Sequence, residues 1–142
     1  MSERWLLDTC VLSEYARAKP DARVMRWLAD ADEESLALSV LTLAELRRGA
    51  LALPSSRRRS ALAAWIDESL PARFHGRVFS VDKTVTDVWA ERQARLDRYG
   101  RPLPVFDGLI AATALAHGYG VATRNERDFV DFGVSIVNPW RA

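Results

Sequence analysis

The sequence contains very little cysteine and histidine. It has one cysteine, Cys10, and two histidines, His75 and His117, among 142 residues. A single cysteine excludes a disulfide within the chain and favours a reducing cytoplasm. So few sulfur and imidazole ligands also argue against a zinc site.

Long hydrophobic runs are missing as well. No stretch approaches the roughly 20 apolar residues of a membrane span, and the first residues carry Glu3 without the hydrophobic region of a signal peptide. We therefore expect neither a transmembrane helix nor a signal peptide, no membrane partner, and a cytoplasmic location. Hydrophobic residues make up 49% of the chain and charged residues 27%, as in ordinary globular proteins. This length and composition predict a single domain over residues 1–142.

The chain has no excess of charge of one sign. Its formal net charge is +1, which neither supports nor excludes a nucleic-acid partner, because a local basic patch is sufficient for binding. One such patch is formed by Arg57, Arg58 and Arg59. A cap at Ser55 or Ser56 would put these arginines at the positive end of a helix dipole. Their role stays open between a solvated helix face and a binding site for phosphate or an acidic partner.

Hydrophobic patterning predicts strands that alternate with helices. Short apolar runs predict strands at 5–7, 36–40, 78–81, 119–123 and 134–137. Helices are predicted at 11–17, 23–31, 42–53, 56–70 (with Pro71 behind it), 83–99 and 104–118. This alternation is typical of an α/β fold with a mainly parallel sheet. Ligand sites of such sheets lie beyond the carboxyl ends of the strands.

Polar residues are predicted at this edge of the sheet. They are Asp8 after the first strand, Glu45 in the helix after the second strand, Asp107 at the start of the apolar helix 104–118, and Thr123, Asn125 and Asp128 after a later strand. Each acid also has a purely structural interpretation. Asp8 and Asp107 could be helix N-caps, Glu45 could pair with Arg48, and Asn125 with Asp128 could form a capping box.

Taken together, the acids predict a metal site. Three or four carboxylates in a small space repel one another and raise each other's pKa, and a divalent cation relieves that repulsion. Oxygen ligands suit Mg²⁺ or Mn²⁺. Such a site polarises a phosphoryl oxygen and supplies a metal-bound hydroxide for attack. The predicted chemistry is phosphodiester hydrolysis.

Several motifs resemble those of PIN-domain ribonucleases and, more narrowly, of VapC/FitB-like toxins of type II toxin–antitoxin pairs. The motifs are LLDTCVLSE, TLAELRRGAL, LPVFDGLIAATALAHG, GVATRNERDF and the closing NPW. They cover essentially the whole chain in the family's order. The resemblance implies a PIN-like three-layer α/β/α sandwich with a mainly parallel central sheet, and a metal-dependent ribonuclease activity.

The resemblance also implies roles for individual residues. Asp8, Glu45 and Asp107 match the three acidic positions that hold Mg²⁺ or Mn²⁺ in the family. The fourth acidic position varies: Asn125 stands nearest to it and Asp128 follows three residues later, so both remain alternatives for the fourth ligand. Thr123 matches a hydroxyl position that orders water or a carboxylate.

The partners that the resemblance implies are RNA, a second copy of the chain and a small VapB-like antitoxin. The tail of the antitoxin would run toward the acidic site, and operator DNA would be bound only through the antitoxin complex. A haloacid-dehalogenase-like phosphatase is disfavoured because Cys10 replaces its second aspartate. The other hypothesis is a catalytically weak PIN scaffold that acts mainly as the partner subunit of a DNA-binding antitoxin. The intact set of Asp8, Glu45 and Asp107 favours the enzyme.

Overall fold

The computed structural model describes residues 3–142, which form one five-stranded parallel sheet with helices on both faces. The strand order is β3-β2-β1-β4-β5, with every neighbouring pair parallel. The strands are β1 (Trp5–Leu7), β2 (Leu36–Ser39), β3 (Val78–Phe79), β4 (Gly120–Ala122) and β5 (Ile136–Val137). All five strands lie within predicted ones, so the predicted mainly parallel sheet is confirmed.

Eight α-helices connect and cover the strands. They are α1 (Thr9–Leu12), α2 (Ala22–Asp30), α3 (Val40–Leu51), α4 (Arg57–Ala64), α5 (Leu70–Arg73), α6 (Lys83–Arg98), α7 (Val105–His117) and α8 (Glu126–Val130). Short 3₁₀ turns at Ser13–Ala16 and Glu33–Ser35 follow α1 and precede β2. Within residues 3–142, no helix is long and apolar enough to cross a membrane.

Several boundaries differ from the sequence prediction, and two of them have a clear local cause. Val40 begins α3 instead of ending β2, because the hydroxyl of Ser39 accepts a hydrogen bond from the Leu41 N–H at 3.0 Å and caps the helix there. Pro71 lies inside α5 and not behind the preceding helix. A π-helical turn over Trp65–Ser69 joins α4 to α5. Such a turn changes the local hydrogen-bond pattern, which accommodates a residue without an N–H.

The alternation of side chains along the strands separates two hydrophobic clusters. Leu6 packs with the apolar residues of α6 and α7, whereas its neighbour Leu7 packs with α1, α2 and α5 on the other face. The same division holds for Val121 and Ala122 in β4. Successive strand residues point to opposite faces, so both faces of the sheet are buried and the three-layer α/β/α sandwich is confirmed.

The sheet order places the site at the carboxyl ends of β1 and β4. The chain builds β1, β2 and β3 outward on one side and then returns to place β4 on the other side of β1. Leu7 pairs with Ala122 in the parallel register. The next residues, Asp8 and Thr123, therefore leave the sheet side by side at the topological switch point, where α/β folds bind ligands.

Candidate active site

Asp8 is a buried carboxylate at the centre of this edge. It lies immediately after β1, with only 5% of its surface exposed. One carboxylate oxygen accepts a hydrogen bond from the Thr9 backbone N–H at 2.9 Å. The other accepts a hydrogen bond from the Thr123 hydroxyl at 2.7 Å. Asp8 thus caps α1, as the structural interpretation held, and is also tied to β4 across the switch point.

Glu45 is directed toward Asp8 by a neighbouring hydroxyl. Its carboxylate accepts a hydrogen bond of 2.6 Å from the hydroxyl of Thr9. The alternative pairing with Arg48 is wrong, because no ion pair joins these two residues within the described part of the chain. The half-buried Glu45 side chain instead reaches from α3 toward α1, which places its charge next to the end of β1.

Asp107 does not cap α7. The N-cap position is occupied by Pro104, which makes no side-chain capping bond, and Asp107 is the third residue of the helix. Burial, followed by the charges of Asp8, Glu45 and Asp128, raises the pKa of Asp107 to about 6. The cap interpretation is therefore wrong for Asp107, and the expected repulsion among the acids is present at this residue.

The segment after β4 holds three predicted site residues with three different environments. They are Thr123, Asn125 and Asp128. Thr123 is fully buried, and its hydroxyl also accepts a hydrogen bond from the Asn125 N–H at 3.0 Å. Asn125 occupies the N-cap position of α8 but makes no side-chain capping bond, so the capping-box interpretation is wrong. Asp128 is exposed, and its charge contributes to the raised pKa of Asp107.

The sequence argument did not assign roles to Thr9 and Cys10, which also contact the acids. The thiol of Cys10 lies 3.6 Å from the second carboxylate oxygen of Asp8. Burial and the Asp8 charge raise the pKa of this thiol to about 11. A thiol with such a pKa stays protonated at neutral pH and is a poor nucleophile. Both residues directly follow Asp8 at the end of a strand, and this position could have identified them as neighbours of the acids.

The donor chemistry of the site fits a divalent metal ion. The charges of Asp8, Glu45 and Asp128 act on Asp107, and carboxylates are the hard oxygen ligands that Mg²⁺ and Mn²⁺ prefer. Across residues 3–142, no three histidine, cysteine or acidic side chains already stand in a metal-binding arrangement. Charge repulsion acts over several ångströms, whereas ligand atoms lie about 2.0–2.1 Å from Mg²⁺. Binding would therefore require the carboxylates to move closer together.

Comparisons with known proteins agree on one family. A family model described as PIN domain matches residues 5–134. A protein named VapC ribonuclease Y4jK, from Sinorhizobium fredii, is 41% identical over 95% of this chain and 96% of its own length. The protein named Toxin FitB, from Neisseria gonorrhoeae, is 36% identical over 95% of this chain and 97% of its own length.

Solved structures give the same result. The crystal structure of FitAcB from Neisseria gonorrhoeae has a TM-score of 0.92 at 36% identity, covering 96% of this chain and 99% of the other. A structure of FitAB bound to an IR36 DNA fragment has a TM-score of 0.90 at 36% identity, covering 95% of this chain and 94% of the other. These similarities extend over nearly the full length of each chain.

Proposed function

The chain belongs to the PIN-domain family, and we propose that it is the toxin of a toxin–antitoxin pair, a ribonuclease that hydrolyses RNA with the help of Mg²⁺ or Mn²⁺. The observation that supports this proposal is the concentration of negative charge around Asp107, whose pKa is raised by burial and by the charges of three other carboxylates. Such an arrangement costs free energy in the absence of a cation. The names of the relatives as ribonuclease and toxin point to the same activity.

Asp8, Glu45 and Asp107 would hold the metal ion. We favour Asp128 over Asn125 as the fourth group, because the charge of Asp128 acts on Asp107 while Asn125 contacts the site through its backbone N–H. When bound, the ion supplies charge stabilisation of the phosphoryl oxygens and activation of water.

Two threonines orient the carboxylates for this task. The Thr123 hydroxyl donates to Asp8 and the Thr9 hydroxyl donates to Glu45, at 2.7 and 2.6 Å. Each bond leaves at least one lone pair of its carboxylate free for a further ligand. Partners that hold metal-binding side chains in this way set the orientation of the site.

The proposal includes a second copy of the chain and an antitoxin. Two consecutive apolar side chains in the first turn of α7 are exposed, with 56% of Val105 and 43% of Phe106 accessible. Exposed apolar residues of this kind mark interaction surfaces when they adjoin one another. We assign them to the homodimer. By analogy with the structure of FitAB bound to a DNA fragment, we assign DNA binding to the antitoxin complex. An RNA substrate places the reaction in the cytoplasm, where Cys10 stays reduced.

The test is RNA cleavage with and without free metal ion. We expect the purified protein to cut RNA in Mg²⁺ or Mn²⁺, to stop in excess EDTA, and to recover when the metal is returned. The product of a short neighbouring reading frame should copurify and suppress cleavage. Undiminished cleavage in EDTA would contradict the metal site. Absence of cleavage under every metal condition, with the antitoxin still bound, would favour the catalytically weak scaffold.

A further inference from the structure

Two arginines next to the acidic site have no acidic partner. Arg124 directly follows Thr123, and Arg127 directly precedes Asp128; both arginines are exposed. In the part of the chain that the structure describes, neither guanidinium lies within 4.0 Å of a carboxylate oxygen. The guanidinium carbon of Arg124 lies over the ring of Trp140, 5.1 Å from its centroid. Stacking on this buried ring holds Arg124 in place while its N–H groups remain free.

Three open grooves meet around these arginines. The first has a volume of about 480 Å³ and is lined by Arg101, Arg127 and Asp128, among others. The second, of about 320 Å³, shares Arg127 and Asp128 with the first. The third, of about 440 Å³, shares Arg124 and Arg141 with the second. The grooves adjoin one another at these shared residues, and we call the surface that they form along α8 the α8 trough.

The side chains that line the α8 trough carry five positive and four negative charges, and its unpaired positive charges are those of Arg124 and Arg127. Arg101 pairs with Asp131 at 3.3 Å, and Arg141 pairs with Glu126 at 3.2 Å. The unpaired guanidinium groups belong to the residues that directly precede Asn125 and Asp128. Arginine binds phosphate through two parallel N–H bonds, so an unpaired guanidinium at an open groove is suited to a phosphate ligand.

The trough also offers an apolar wall. Pro102, Leu103 and Val130 line its first groove beside Arg101 and Arg127. Phosphate-binding arginines next to apolar surface favour a single strand, whose bases are free to leave the stack and pack on the protein. A duplex would keep its base faces covered.

From these observations we propose that a single RNA strand lies in the α8 trough, where Arg124 and Arg127 bind its phosphates. This inference rests on the ribonuclease function proposed above. The trough adjoins the acidic site through Asp128, which lines two of its grooves and whose charge acts on Asp107.

The experiment compares RNA affinity at several salt concentrations. The reference protein is Asp107→Asn, which lacks a carboxylate that the proposed reaction needs and so leaves the RNA intact. Into it we introduce Arg124→Gln with Arg127→Gln. The control pair, Arg26→Gln with Arg98→Gln, removes the same formal charge from exposed positions outside the trough. Binding of a fluorescent single-stranded RNA is followed by anisotropy, and thermal melting verifies that each variant is folded.

Loss of two phosphate contacts should lower the slope of log affinity against log salt by about 1.4. Between about 50 and 200 mM salt, the affinity of the reference should therefore fall roughly sevenfold more than that of the trough variant. The control pair should keep the slope of the reference. A trough variant whose affinity and slope equal those of the control overturns the inference.

Two further outcomes separate this inference from the proposed function. If the wild type cuts RNA while the trough variant binds antitoxin less tightly and RNA unchanged, the trough holds a protein segment and the assignment to RNA is wrong. If the wild type cuts no RNA and the reference binds none, the ribonuclease proposal fails and the trough assignment fails with it.

Discussion

Replacing Asp107 by asparagine should stabilise the metal-free protein while abolishing metal binding. Asparagine has the shape of a protonated aspartic acid, so it keeps the side-chain volume and removes only the charge. The pKa of Asp107 is about 6 in the folded protein, against 3.8 for an ordinary aspartate. A difference of about two pKa units corresponds to roughly 3 kcal/mol. Since Asp107 is only half-buried, solvent screening reduces the expected gain to about 1–2 kcal/mol.

The sign of the pH dependence follows from the raised pKa. Above about pH 6 the carboxyl is ionised in both states, and the folded state carries the whole cost of the repulsion. As the pH falls from about 6 to about 4, the folded state takes up the proton first and the cost disappears. The advantage of Asp107→Asn should thus be largest at neutral pH and vanish near pH 4.

Urea and thermal unfolding in EDTA would measure this difference across the pH range. For a domain of this size, the gain corresponds to a rise in Tm of about 2–8 °C at neutral pH. Asp107→Ala should also be stabilising, because Asp107 makes no capping bond that could be lost. The control is Asp87→Asn, an exposed carboxylate paired with Lys83, which should bring no gain in stability.

Metal binding provides the second half of the test. Mn²⁺ should raise the Tm of the wild type, because a ligand that binds only the folded state stabilises it. The same addition should leave Asp107→Asn unchanged. The reasoning is refuted if the variant is no more stable than the wild type at neutral pH, or if its advantage persists at pH 4.

Two further predictions concern the supports of the site. Thr123→Val should cost about 1.5–3 kcal/mol of unfolding free energy, because it removes a hydrogen bond to the charged Asp8. Thr123→Ser keeps the hydroxyl and should recover most of the loss, both in urea unfolding and in Mn²⁺ affinity. Equal losses in both variants would contradict the role of the hydroxyl. Gly108→Ala should lower the free energy of unfolding by about 1–2 kcal/mol, although alanine has the better helix propensity. The new Cβ would lie 2.9 Å from the indole nitrogen of Trp89 and 3.2 Å from the side-chain oxygen of Gln93, which is too close for both. An increase in Tm for Gly108→Ala would show that α6 and α7 separate easily.

The alternation of strands and helices could be predicted from the sequence because burial leaves a periodic signal. The strand Trp5–Leu7 and the apolar helix Val105–His117 were recognised in this way, and so was the edge of the sheet at which the polar residues cluster. The boundaries at Ser39 and Pro71 were harder to predict. A helix cap and a π-helical turn depend on local hydrogen bonds that hydrophobicity does not record.

The sequence by itself determined the fold class and singled out the candidate acids, since both depend on residue type and spacing along the chain. Only the tertiary structure decided which contacts each acid makes. Asp107 caps nothing, Glu45 accepts a hydrogen bond from Thr9 and does not pair with Arg48, and Asp8 accepts one from the hydroxyl of Thr123, which follows β4. These contacts join residues that are far apart in the chain, and the sheet register brings them together. Coulombic repulsion and hydrogen bonding depend on distance in space, and sequence spacing does not contain that distance.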